Sequence, residues 1–351
     1  MKIKSPTRRY PFIIAICIGA IGSLVAINVQ AQYTYTTLSM PGATNTGAYG
    51  ISGTNIVGFY QNGSSHGFLY NGTTYTPLNV PGAVNTYAQG ISGNNITGYY
   101  NNGNGTPATG FVYNGSTYST LNVPGSSQTL AAGISGNNVA GVCVSGTSEL
   151  GFFYNGSTYT TLSMPGGLFT AATGVSGNEV VGYSYTNGYK GFFYNGSTYL
   201  MLSAPGAAST YAYGISGNTI LGAYATSGSL GAPTQAFLYN INSGTYTTLS
   251  VPGAKSSYAY GMSGTNIVGG YTVSGGNSYG FLATIVPVFN LTAVAVRGQF
   301  QVGVSGAASS AIVLASTNMQ SWVPVYTNTP PFTYTDKTTT VSGCRYYRAQ
   351  Q

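Results

Sequence analysis

The sequence predicts an all-β fold built from six copies of one four-stranded unit. A Pro-Gly dipeptide recurs at the same place in each copy, and its proline is Pro41, Pro81, Pro124, Pro165, Pro205 and Pro252. A spacing of about 40 residues is typical of tandem-repeat proteins, in which each repeat is one supersecondary unit. Four-stranded antiparallel units at this period favour blades arranged around a channel, so we predict a six-bladed β-propeller.

The third repeat illustrates the four predicted strands, which we name d, a, b and c in chain order. They are Tyr118–Val123 (strand d), Ala131–Ser135 (strand a), Asn138–Val144 (strand b) and Gly151–Tyr154 (strand c). Each is rich in β-branched, aromatic or small apolar residues, and Gly, Asn and Ser lie between them. Asn155-Gly156 after strand c predicts a type I′ hairpin turn, because both residue types tolerate positive φ.

The phase of the repeat predicts how the ring closes. The first strand-like segment, Tyr33–Leu38, is a strand d without partners, and the last repeat ends after its strand c, Gly280–Ala283. We therefore expect the N-terminal strand to complete the sixth blade, which would leave no open sheet edge in the ring. An open β-solenoid is the alternative, but it leaves this offset of strands unexplained.

The chain divides into three predicted regions, namely a signal peptide (1–31), the six-repeat propeller (32–286) and a β-sandwich-like module (287–351). Four basic residues within the first ten precede the apolar run Phe12–Val29, and the run ends in Val29-Gln30-Ala31, a typical signal-peptidase site. We expect cleavage before Gln32 and an extracellular or cell-surface protein without a membrane anchor. An uncleaved anchor is the alternative, since the run is only just long enough to span a bilayer.

Charged residues are scarce, at 4% of the chain, so the formal net charge of +7 does not indicate a nucleic-acid partner. The sole histidine is His66, and the acidic residues Glu149, Glu179 and Asp336 are far apart in the sequence. This set predicts no catalytic triad, no carboxylate pair and no metal site. We therefore expect a non-enzyme without metal or cofactor. Cys143 and Cys344 fall in different predicted regions, which favours free thiols over a disulfide.

The first repeat contains three segments that resemble the bacterial extracellular HAF repeat, whose pattern is G-I-N…V-V-G…H-A-F-L-Y. They are Ala48-Tyr49-Gly50-Ile51-Ser52, Ile56-Val57-Gly58 and Ser65-His66-Gly67-Phe68-Leu69-Tyr70. The match extends from Thr34 to about Thr284, and it departs from the family pattern at the His-Ala-Phe step, which is Gln235-Ala236-Phe237 in the fifth repeat. The resemblance implies an exported β-repeat protein and brings no catalytic residue with it.

The region from Ile285 onward loses the repeat and contains further strand-like runs, among them Phe332–Asp336 and Arg345–Ala349. It is similar to a small β-sandwich module found at the C-termini of secreted proteins from environmental bacteria. The resemblance implies an accessory or surface-display role. We expect Trp322, the single tryptophan, to lie in the core of this module.

Length differences between repeats concentrate in the b–c loop. The distance from the proline to the strand-b glycine is constant, whereas the step from that glycine to the strand-c phenylalanine grows from Gly58–Phe68 to Gly222–Phe237. Variable loops on a rigid scaffold indicate recognition, although neutral drift of exposed loops explains the same pattern. Adding the strand-a tyrosines, the candidate binding residues are Tyr87, Tyr211, Tyr213, Tyr258, Tyr260, Asn101, Asn102, Asn104 and Gln235.

These observations predict a secreted, monomeric, non-catalytic interaction or scaffold protein. Its neutral amide and tyrosine groups suit a neutral polysaccharide or a surface protein better than a nucleic acid, because they would release no counterions. Two alternatives remain open. One is an extracellular propeller hydrolase or lyase with an unrecognised site, and the other is a purely structural surface protein.

Overall fold

The computed structural model describes residues 14–17, 25–26, 32–103, 105–229, 231–286, 290–296, 299–305, 311–337 and 344–350. All regular elements in these ranges are β-strands. Two compact units can be distinguished, one spanning Thr34–Thr284 and the other combining residues up to Tyr33 with those from Ile285. Among the described residues, no helical segment is long and apolar enough to span a bilayer.

The first three strands are β1 (Ile14–Cys17), β2 (Val25–Ala26) and β3 (Gln32–Leu38). Blade one contains β4 (Asn45–Ser52), β5 (Asn55–Asn62), β6 (Ser64–Tyr70) and β7 (Tyr75–Leu78). Blade two contains β8 (Asn85–Ser92), β9 (Asn95–Asn101), β10 (Thr109–Tyr113) and β11 (Tyr118–Leu121). Blade three contains β12 (Gln128–Ser135), β13 (Asn138–Ser145), β14 (Ser148–Tyr154) and β15 (Tyr159–Leu162).

Blade four contains β16 (Thr170–Ser176), β17 (Glu179–Tyr185), β18 (Tyr189–Tyr194) and β19 (Tyr199–Leu202). Blade five contains β20 (Ser209–Ser216), β21 (Thr219–Ala225), β22 (Gln235–Asn240) and β23 (Thr245–Leu249). Blade six contains β24 (Ser256–Ser263), β25 (Asn266–Thr272) and β26 (Ser278–Val286). The second unit adds β27 (Asn290–Val296), β28 (Gln299–Ser305), β29 (Ala311–Ser316), β30 (Val323–Asn328), β31 (Phe332–Asp336) and β32 (Cys344–Gln350).

Each blade is an antiparallel meander in which strands a, b, c and d lie side by side, and the sixth sheet has the order β24-β25-β26-β3. The N-terminal strand therefore supplies strand d of blade six. The Tyr35 ring lies 6.2 Å from the Phe281 ring, edge to face. The hydroxyls of Thr37 and Tyr271 are 3.0 Å apart. Both the six-bladed propeller and its closure by the N-terminal strand are confirmed.

A buried phenylalanine of strand c lies over a glycine of strand b in every blade. The six phenylalanines are at most 1% exposed, and Gly58 pairs directly with Phe68 in the sheet. A Cβ atom at Gly58 would lie 1.9 Å from the carbonyl oxygen of Gly47 and 2.9 Å from the Phe68 ring. Only glycine fits there, which explains why strand b carries a glycine at this position in every repeat.

The c–d turns differ from the prediction. Tyr154 pairs with Tyr159, so the turn has four residues between the strands, and Gly156 is its one residue with positive φ (92°). The Asn155 side chain accepts hydrogen bonds from the backbone N–H groups of Ser157 (3.0 Å) and Thr158 (2.8 Å). The type I′ prediction is therefore wrong, because the asparagine caps a longer turn with its side chain instead of adopting positive φ.

The second unit contains two four-stranded sheets, in the orders β1-β32-β29-β30 and β2-β27-β28-β31. The short strands β1 and β2 come from the predicted signal peptide, and cleavage before Gln32 stays a prediction. Val302, Val313 and Tyr347 are fully buried in this unit, and the Tyr347 hydroxyl donates to Asp336 (2.6 Å).

Trp322 lies in the chain between β29 and β30 and does not belong to the buried core of the second unit. Its indole N–H donates to the carbonyl oxygen of Met319 (3.2 Å), and the neighbouring Val323 is 61% exposed. The prediction that Trp322 is a core residue is not confirmed, because Trp322 is only half-buried and its neighbours Ser321 and Val323 are exposed.

Candidate functional site

Strand a of every blade contains a β-bulge at the same position, for example between Ala48 and Gly50 in blade one. A bulge leaves one residue unpaired and turns its side chain out of the ladder. The unpaired residues are Tyr49, Gln89, Ala132, Thr173, Tyr213 and Tyr260. All six line one cavity of about 450 Å³. The bulges therefore direct one side chain of each blade into the central channel.

This cavity lies on the a–b side of the propeller, because its lining runs from the bulge residues to the serines that precede the a–b turns, such as Ser52 and Ser92. Its lining contains no Asp, Glu, Lys, Arg or His. The variable b–c loops are on the opposite side. The channel mouth is thus surrounded by the uniform turns of the repeat.

Tyrosines occupy one half of the channel. The Tyr49 and Tyr260 rings stack with 4.5 Å between centroids, and Tyr213 meets Tyr260 edge to face at 5.0 Å. Burial raises the pKa of Tyr49 to about 12, and it raises the pKa of Tyr213 and Tyr260 well above the ordinary value. All three hydroxyls are protonated at neutral pH. The Tyr260 hydroxyl donates to the Tyr49 oxygen, so the Tyr49 hydroxyl is the one of this pair that can donate to a ligand.

The invariant Gly and Ser residues near the channel hold neighbouring blades together. A Cβ atom at Gly214 would lie 2.0 Å from the Tyr260 carbonyl oxygen of the next blade, so glycine permits the close approach. The Ser52 hydroxyl accepts a hydrogen bond from the Gly93 N–H of the next blade (3.1 Å). The same bond joins three further pairs, Ser92 to Gly136, Ser135 to Gly177 and Ser263 to Gly53. The Ile-Ser-Gly step thus has a structural role.

The predicted binding residues separate into two groups. Tyr213 and Tyr260 line the channel cavity. Tyr87, Tyr211 and Tyr258 come two residues earlier in their strands, nearer the b–c side, and Tyr87 stacks on Tyr99 at 4.7 Å. Of the five predicted tyrosines, only Tyr213 and Tyr260 therefore line the channel cavity.

The predicted amide residues do not line this cavity. The Asn101 side-chain oxygen accepts from Asn85 (2.8 Å), and the Gln235 oxygen accepts from the Tyr224 hydroxyl (2.9 Å). The backbone N–H of Asn102 donates to Thr106 (3.0 Å). Asn104 lies outside the described residues. In the described part of the b–c loops, the side chains of Asn101 and Gln235 therefore take part in contacts within the propeller.

Of the six bulge positions, sequence reasoning named Tyr213 and Tyr260 and missed Tyr49, Gln89, Ala132 and Thr173. In the sequence, each of these residues is visible as the variable position between the constant Ala and Gly of strand a. The sequence does not show the bulge that turns this side chain toward the channel.

The ionisable groups that an enzyme would use lie in different blades, with His66 on β6, Glu149 on β14 and Lys190 on β18. None of them lines the channel cavity. His66 Nδ1 lies 3.1 Å from the Asn79 side-chain oxygen, and its ring is 5.3 Å from that of Tyr60. In the described part of the chain, no group of three His, Cys, Asp or Glu residues could hold a metal ion.

No family model and no curated protein matches this chain. Solved structures with a similar fold include the β-propeller domain of the Trilobed protease from Pyrococcus furiosus, at 9% identity and a TM-score of 0.45, covering 72% of this chain and 78% of that chain. An acylaminoacyl peptidase from Pyrococcus horikoshii has 7% identity and a TM-score of 0.43, over 72% of this chain. This chain spans 48% of that peptidase, about half its length.

A puromycin hydrolase S511A mutant in complex with PGG is also similar, at 10% identity and a TM-score of 0.38, over 76% of this chain and 60% of that chain. At these identities the likeness extends to the fold and no further. These structures are named as peptidases and a hydrolase, which is the finding that stands against the predicted non-catalytic interaction protein. The non-catalytic interaction protein that binds through its b–c loops gives way to the hydrolase alternative.

Proposed function

We propose that this chain is a hydrolase of uncharged acyl polymers whose channel holds the substrate end. The observation that carries the proposal is the cavity of about 450 Å³ at the centre of the six blades, with tyrosines on one side. A volume of this order is typical of small-molecule sites. The uncharged lining favours a neutral substrate, because burying an ion without a partner is costly.

The asymmetry of the bulge residues supports an oriented substrate. Tyr213, Tyr260 and Tyr49 come from the consecutive blades five, six and one, whereas Ala132 and Thr173 opposite them are small. Tyr183 of blade four also lines the cavity, beside Tyr213, so a chain end entering from the a–b side has room next to Ala132 and meets hydroxyl groups on the other wall. The tyrosines therefore act as positioning groups and as hydrogen-bond donors.

The chemistry that these donors support is acyl transfer to water. Water adds to the acyl carbon, the bond from this carbon to its leaving nitrogen or oxygen breaks, and a proton of the water passes to the leaving atom. The carbonyl oxygen gains negative charge during the addition, and hydroxyl donors already in place stabilise it. The Tyr49 hydroxyl lines the cavity and is protonated at neutral pH, so it can donate this bond.

The same proposal includes export. The basic and apolar N-terminal segment and the resemblance to the extracellular HAF repeat both favour a protein that acts outside the cell on polymers too large to enter it.

The test is hydrolysis by the purified full chain of terminally blocked oligopeptides and of neutral ester oligomers. We expect turnover, and we expect Tyr49→Phe to lower kcat by about 10²-fold, the usual effect of removing one oxyanion donor, with little change in KM. Tyr100→Phe is a matched control, because Tyr100 does not line the cavity. His66→Gln should also be silent. The proposal is wrong if the full chain hydrolyses none of these substrates, if Tyr49→Phe keeps full kcat, or if His66→Gln abolishes turnover.

A further inference from the structure

A second cavity of about 250 Å³ lies between blade six and blade one, on the b–c side of the channel. Asn45 and Gln61 of blade one and Thr272 of blade six mark its outer end, because they stand at the b–c ends of their strands. Tyr49 and Tyr260 line both cavities and so form the partition between them. This second space lies at the junction where the ring closes.

Two glycines create the space. Gly47 of strand a and Gly270 of strand b occupy positions that carry larger residues in other blades, for instance the paired Tyr87 and Tyr99 of blade two. A Cβ atom at Gly270 would find no atom nearer than Tyr260 Cε2 at 3.4 Å, so packing alone does not require glycine there. The repeat therefore departs from its own pattern at the two positions that open this cavity.

The walls of the cavity are aromatic. They contain the side chains of Tyr49, Phe59, Tyr258, Tyr260, Tyr271 and Tyr279. Tyr49 stacks on Phe59 at 5.3 Å between centroids, Tyr258 is parallel to Tyr260 at 6.1 Å, and the Tyr271 and Tyr279 rings are 5.6 Å apart. No acidic or basic residue lines this space.

Chemistry identifies the ligand class that such a cavity takes. The face of an aromatic ring is electron-rich and attracts cations within about 6 Å of its centroid. A primary ammonium needs hydrogen-bond acceptors for its three N–H groups and holds its water strongly. A quaternary ammonium has no N–H group, and its methyl groups present a diffuse charge to the ring faces.

We infer that the cavity between blades six and one is an aromatic cage for a quaternary ammonium group. The Asn45 side chain stabilises its rim, because its amide donates to Gln61 (2.8 Å) and its oxygen accepts from the Ser278 N–H (3.0 Å). This site is distinct from the proposed hydrolytic site on the a–b side and does not depend on it.

The experiment is calorimetric titration of the full chain with tetramethylammonium and with choline. The uncharged compound 3,3-dimethylbutan-1-ol, which has the same shape as choline, serves as the comparison. We expect both cations to bind, and we expect the alcohol to bind at least about tenfold more weakly because it lacks the charge. Equal binding of the alcohol would show an ordinary apolar pocket and overturn the inference, as would the absence of any cation binding.

Variants locate the site. Tyr271→Ala and Tyr279→Ala should each weaken choline binding by about tenfold, because each removes one wall of the cage. Gly270→Val fills the space with the residue found at the equivalent Val142 and should reduce binding without removing an aromatic contact. Tyr100→Ala, the blade-two counterpart of Tyr271, is the matched control and should bind as the unmodified chain does. Unchanged binding in both Tyr271→Ala and Gly270→Val would overturn the inference.

Discussion

Replacing Gly141 of strand b by alanine should strongly destabilise the propeller. The added Cβ would lie 2.2 Å from the Leu130 carbonyl oxygen and 2.6 Å from the Phe152 ring, and Phe152 is fully buried. Neither group can move away easily, since the carbonyl belongs to the adjacent strand and the ring fills the space between blades. Overpacking of this kind costs about 1–3 kcal/mol, and a backbone contact this short favours the upper end.

The magnitude converts to a measurable shift. For a unit of this size, 1 kcal/mol corresponds to a change in Tm of about 2–4 °C, so we expect Gly141→Ala to lower the Tm by about 6–12 °C. Differential scanning calorimetry and guanidinium denaturation of the full chain would measure it. The double variant Gly141→Ala with Phe152→Leu should recover only part of the loss, because the contact with the Leu130 oxygen remains.

Gly228→Ala is the matched control, because a Cβ there meets no atom within 4 Å and its φ is not positive. We expect this control to change stability by less than about 1 kcal/mol. If Gly141→Ala and Gly228→Ala unfold at the same temperature, the packing argument for the strand-b glycines is refuted.

Four further predictions concern closure, blade contacts, ionisation and processing. Deleting Gln32–Leu38 should expose the edge of β26 and cause association, visible by light scattering; a stable monomer with unchanged Tm would contradict the role of β3 in closure. Ser52→Ala should cost about 0.5–1.5 kcal/mol in denaturant titration, since the Gly93 N–H loses its acceptor, and an unchanged midpoint would count against the blade clamp. Burial raises the pKa of Tyr49 to about 12, above its value of 10 in an unfolded chain. The contribution of Tyr49 to stability is therefore complete below pH 10 and is lost as the pH rises toward 12. Tyr49→Phe should reduce this loss, and equal alkaline unfolding curves for the two proteins would contradict this prediction. Mass spectrometry of the exported protein should find Gln32 as the first residue, and a chain that retains Ile14–Cys17 would disprove the predicted cleavage.

The local pattern of residues determined much of the fold. Turn residues separate the strands of each repeat. The N-terminus supplies a strand d without partners and the last repeat lacks one, so only one pairing closes the ring. The meander depends on pairing between strands that are neighbours in sequence, which alternation of side chains and turn chemistry specify directly. Closure pairs β3 with the distant β26, and the offset of strands at the two ends of the repeat array predicts it. The sequence therefore predicted the meander, the number of blades and the closure by β3.

The tertiary structure alone decided where a ligand could bind. Tyr49 and Tyr260 stack although more than half of the chain separates them, and the bulges that turn them inward leave no mark on the hydrophobic pattern. Gly47 and Gly270 look like ordinary members of a glycine-rich sequence until ring closure brings them to the same cavity. The variable b–c loops drew attention to the opposite side, because length variation records only where the chain tolerates change. Contacts between the first and last blades arise when the ring closes, and no local pattern can encode which side chains then meet.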